Sequence, residues 1–96
     1  MSPKKRKKLN ILRKNLDKLD NSFIKLVKKR SAIVEKVLEL KNHKNQIVDK
    51  KRIRIIFKNL RKKSLKRKID SDITKSIWKT MIRSFIKYEY KNFKKK

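Results

Sequence analysis

The sequence predicts an all-α fold of three helices, and three observations carry that prediction. Glycine is absent and Pro3 is the single proline, whereas turn-dense β folds depend on both residues. Apolar residues recur in steps of three and four along most of the chain, the spacing of one helical face. Oxygen-bearing side chains, Asp49 and the pair Asp70–Ser71, stand ahead of the second and third apolar series, where helices start. The 96 residues make one domain at most, read as a basic tail over 1–8 and a single helical domain over 9–96.

The opening MSPKKRKK reads as a solvated tail. It resembles a basic localisation or nucleic-acid tag, but such clusters arise readily at this lysine content. From Leu12 the apolar positions are Leu12, Leu16, Leu19, Phe23, Leu26, Ile33, Val37 and Leu40, the seam of a long amphipathic helix. One slot of that seam is filled by a charge, Arg30. Lys41 follows eleven residues later, about 20° from whole turns, so it shares a face with Arg30. Arg13 flanks the seam instead. It lies about 100° around the helix from Arg30, which argues against one chain offering both to one ligand. A helix of about 30 residues is roughly 45 Å long, so its stripe needs partners along its whole length. With 36% hydrophobic and 44% charged residues the core is thin, and association with a second copy is expected.

NHKNQIV, residues 42–48, breaks the periodicity and reads as a loop, with the single His43 at the surface. Asp49 caps a second helix bearing Ile53, Ile56, Phe57 and Leu60. Arg52 lies one turn before Ile56 and leans toward the buried side. KRKI, residues 66–69, is a short connector to a third helix whose apolar face is Ile77, Trp78, Met81, Ile82, Phe85 and Ile86. Glu89 extends the row Trp78–Ile82–Phe85, so a carboxylate also occupies a core-facing slot.

Composition narrows the function classes. Cysteine is absent, which excludes a disulfide framework and a thiolate metal site. No long apolar run marks a secretory signal or a membrane span, and a soluble cytoplasmic protein is expected. A net charge of +26 suggests a polyanion partner. Yet lysine supplies 26 of the 34 basic residues, a bias that an AT-rich genome produces without selection for nucleic-acid binding. Lysines cover nearly every solvent-facing position, while Phe57, Trp78 and Phe85 sit on apolar stripes rather than among the cations, as stacking on bases requires. The nucleic-acid reading is accordingly disfavoured.

Arg30, Lys41, Arg52 and Glu89 thus occupy or border apolar faces on three helices. A buried unpaired charge costs several kcal/mol, so each needs a partner. Three cations against Glu89 and Asp49 leave positive charge over. A small multivalent anion between the helices balances it, held by bidentate arginine–carboxylate contacts.

The order L-R-x-x-L-D-x-L-D (12–20), Arg30, Lys41, V-D-x-x-R (48–52) and IWKTMI followed by Glu89 resembles the all-α (type II) chorismate mutase family over about residues 9–93. The resemblance implies an intertwined homodimer of three-helix protomers with a long first helix. It also implies conversion of chorismate to prephenate by a pericyclic rearrangement that needs no cofactor. By position, Arg13 comes from the partner subunit and Arg30 from the same subunit, both on substrate carboxylates. Lys41 binds a carboxylate and the ether oxygen, Asp49 and Arg52 begin the second helix at the pocket wall, and Glu89 donates to the ether oxygen from the other side. Such a reaction needs no nucleophile or base. It needs a flexible dianion held in its reactive conformer and charge stabilised as the C–O bond breaks.

Three positions depart from the family pattern. Most mutases carry glutamate after the second-helix arginine, where this chain has Ile53, and a small polar residue four before the ether donor, where it has Phe85. Both changes resemble the isochorismate–pyruvate lyases of the same fold, so that activity stands as the alternative. Glu89 replaces the glutamine usual in bacterial members, and must carry a proton to donate to an oxygen gaining negative charge.

Overall fold

The computed structural model describes residues 1–95, and among them the chain is all-helical. Its elements are α1 (Pro3–Leu40), a 3-10 turn (Lys44–Gln46), α2 (Lys50–Lys66) and α3 (Ser71–Asn92), as the periodicity predicts. The described residues form two compact units, one of residues 1–33 and one beginning at Val34. None of the helices is long and apolar enough to cross a membrane.

The first unit is helical from Pro3 onward. The segment expected as a tail is exposed throughout, but it is helical. The cause is local. Ser2 Oγ accepts from the Lys5 amide at 3.3 Å and the Ser2 carbonyl from the Arg6 amide at 2.9 Å, while Pro3 takes the first helical position, where a missing N–H costs nothing. Along this unit Leu12, Leu16, Leu19 and Leu26 are 58–65% exposed and Phe23 is 50% exposed. The seam is present and nothing in its own unit covers it.

The second unit contains the end of α1, the 3-10 turn and the α2–α3 hairpin. Ile53, Ile56, Phe57 and Leu60 of α2 are half-buried, as are Trp78, Met81, Ile82, Phe85 and Ile86 of α3. Ile77 is 41% exposed and stands at the edge of the α3 face rather than within it. Ser64, 2% exposed, lets the helices approach closely: its Oγ lies 2.7 Å from both the Leu60 carbonyl and Thr74 Oγ1.

The hairpin turn has a specific construction. Lys68 adopts φ 56°, the Ile69 amide donates to the Ser64 carbonyl at 2.9 Å, and the Lys68 amide donates to the Leu65 carbonyl at 3.2 Å. These are the two bonds of a Schellman C-cap, and Lys68 holds the left-handed position that glycine favours. Asp70 starts α3, its carboxylate accepting from the Asp72 amide at 2.9 Å.

Candidate functional site

Lys41 directly follows α1, and the loop after it is shaped by Gln46. The Gln46 Oε1 accepts from the Asn42 amide at 2.6 Å and the His43 amide at 2.9 Å, satisfying the donors that lead into the 3-10 turn. The Gln46 amide returns to the His43 carbonyl at 3.0 Å and the Ile47 amide to the Lys44 carbonyl at 3.1 Å. This folds the loop so that Ile47 is 3% exposed and its carbonyl accepts from Lys41 Nζ at 3.3 Å.

From α3, Glu89 Oε1 meets Lys41 Nζ at 2.9 Å, with the two side chains 8% and 18% exposed. The charged residue on the apolar row of the third helix is therefore buried, and its partner is the lysine at the end of the first. Charge-assisted contacts of this kind are strong where water is largely excluded. Lys41 carries three N–H donors and uses two on protein acceptors. The Glu89 Oε2 receives no hydrogen bond from protein among the described residues. One ammonium N–H and one carboxyl oxygen thus remain without a protein partner among the described residues at the same place.

The remaining expected residues of this unit lie on α2 and α3. Asp49 caps α2 through its Oδ1, which accepts from the Arg52 amide at 3.0 Å. Arg52 is exposed rather than turned toward the buried side. In the first turn of α2 a long side chain keeps its guanidinium in water while the stem follows the helix. Ile53 lines an apolar groove with Phe57, Ile82 and Ile86, rimmed by Lys75, Lys79, Arg83 and Lys87. Ile53 thus presents an apolar side chain to this groove, and Ile86 stands one turn before Glu89. Phe85 is half-buried. Arg13 and Arg30 belong to the first unit, where Arg13 is exposed and Arg30 half-buried.

Two contributors escaped the sequence reading. Gln46 had a usable signal, since a glutamine three residues after the residue that caps a helical turn, here His43, fits a reciprocal cap. The Ile47 carbonyl had none, because every residue has one and only the folded loop aims it.

The family model of chorismate mutase type II matches residues 12–90. The chorismate mutase of Methanocaldococcus jannaschii is similar to this chain, 32% identical over 76 residues, which span 78% of this chain and 77% of the relative. No solved structure gives a significant match.

Proposed function

This chain belongs to the chorismate mutase type II family, and from that membership we propose that it rearranges chorismate to prephenate in phenylalanine and tyrosine biosynthesis. The reaction breaks an ether C–O bond while a C–C bond forms within one molecule, so no group is transferred to the protein. Its barrier falls when the dianion is held in the reactive conformer and negative charge developing on the ether oxygen is stabilised.

The observation that carries this reading is the Lys41–Glu89 contact at 2.9 Å. In the proposed complex Lys41 directs its remaining N–H to the ether oxygen, while its charge faces a carboxylate of the substrate. Glu89 turns a proton on Oε2 to the same oxygen from the other side. Arg30 and Arg52 grip carboxylates from the same subunit, Asp49 holds the first turn of α2, and Ile53 and Phe85 form the apolar wall.

The active form we propose is a cytoplasmic homodimer in which Arg13 reaches the partner subunit's site. Its support is the seam of α1. A row of leucines and Phe23 at 50–65% exposure is a large apolar stripe, and a second copy of the same helix supplies a matching one.

Purified protein incubated separately with chorismate and isochorismate, with prephenate and pyruvate followed, tests the activity. Prephenate from chorismate alone is the expected result. Pyruvate from isochorismate alone overturns the mutase assignment in favour of the lyase.

A further inference from the structure

Tyr88 precedes Glu89 on α3 and turns to a different neighbour. Its hydroxyl donates to Glu35 Oε1 at 2.6 Å, and Glu35 lies on α1 six residues before Lys41. Lys95 Nζ donates to the carbonyl of Glu39, also on α1. The end of α3 and the chain beyond it are therefore tied to the last turns of α1, at Glu35 and at Glu39, in addition to the Lys41–Glu89 contact. Adjacent helical residues point about 100° apart, so fixing the Tyr88 hydroxyl fixes the rotation of α3 and the direction in which Glu89 leaves it.

We propose that the Tyr88–Glu35 hydrogen bond is a positioning pair that sets the approach of Glu89 to Lys41, and through it the rate of the chemical step. The inference rests on the reading of Lys41 and Glu89 as the groups that meet the breaking C–O bond. Neither Tyr88 nor Glu35 touches substrate in it. Tyr88 is 38% exposed, so deleting its hydroxyl removes the tie without opening a core.

The charged groups around the tyrosine are Glu35 and Glu39 from α1 and Lys94 and Lys95 from the chain beyond α3. The Tyr88 hydroxyl is held above its ordinary pKa of 10.0, chiefly by its bond to Glu35, with desolvation and the carboxylate's charge adding to it. The raised value means the neutral hydroxyl binds its proton more tightly in the folded state. The tie is thus intact below the ordinary tyrosine range and is lost as pH rises through the folded value, when a phenolate faces a carboxylate.

The test compares wild type, Tyr88→Phe, Glu35→Gln and Glu35→Leu in kcat and KM for chorismate across pH. Tyr88→Phe and Glu35→Leu are expected to lower kcat by roughly 10- to 100-fold, the scale of a misplacement near 1 Å, with KM unchanged. Glu35→Gln keeps an acceptor for the hydroxyl and retains most of the rate. A kcat unaltered in Tyr88→Phe, with wild type active, overturns the proposal and leaves the mutase reading standing. Absence of wild-type turnover strikes the mutase reading itself. Carbon NMR shifts of the Glu89 carboxyl and the Ile47 carbonyl then judge the positioning alone: both move in Tyr88→Phe if the pair sets the contact, and unchanged shifts overturn it.

Discussion

Lys41 and Glu89 stand 48 residues apart in sequence and 2.9 Å apart in space, joining the end of α1 to the last turns of α3 with little exposure of either side chain. The contact has unequal consequences for its two members. Lys41→Met leaves a nearly buried carboxylate without its cation, at a cost of about 3–5 kcal/mol. Glu89→Gln keeps an oxygen that accepts from Lys41 and costs less. Urea unfolding of the two variants measures the difference, and equal losses would show that the stranded carboxylate is not what Lys41→Met costs.

Glu89 also governs the expected response to substitution. A group that donates a hydrogen bond to the ether oxygen stabilises the charge that oxygen gains, which an apolar side chain cannot do. Glu89→Gln, whose amide donates, should keep activity, whereas Glu89→Leu should lower kcat by roughly 100-fold or more. Equal kcat in the two variants would exclude Glu89 as the source of donation.

The exposed seam of α1 and the overall charge act against each other in assembly. Burying Leu12, Leu16, Leu19 and Phe23 against a second copy favours the dimer, while bringing together two chains of +26 opposes it. Salt screens the second effect and leaves the first, so sedimentation should show tighter dimerisation as ionic strength rises. Phe23→Asp should give a monomer with reduced helicity, since a long helix with an uncovered apolar stripe is marginal alone. A wild-type chain that stays monomeric and fully helical at all salt concentrations would sink the dimer.

Lys68 carries a local cost that substitution should relieve. At φ 56° its Cβ crowds the backbone, a strain of about 1–2 kcal/mol in the left-handed region. Lys68→Gly removes the strain but adds freedom to the unfolded chain worth about 0.5–1 kcal/mol, so a net gain of at most about 1.5 kcal/mol is expected. Thermal unfolding measures it, and a loss of stability would mean that the lysine side chain contributes more at the turn than the strain removes.

The sequence by itself determined the helices and most of their limits. Helical spacing and end caps are local properties, so the seam from Leu12, the cap at Asp49 and the start at Asp70 were legible without a fold. The same locality made the start of α1 recoverable from Ser2 and Pro3, had the basic run not suggested a tail. It also marked Arg30, Lys41 and Glu89 as charges on apolar faces, which set them apart from the coat of lysines. Tertiary structure alone decided which of these charges meet. Pairing between residues 48 positions apart depends on how helices pack, and no periodicity encodes it. It decided too that the Ile47 carbonyl completes the lysine's environment, that Arg52 stays in water, and that Tyr88 reaches Glu35. A helix face is written in the spacing of its own residues, but a contact between faces belongs to the packed chain.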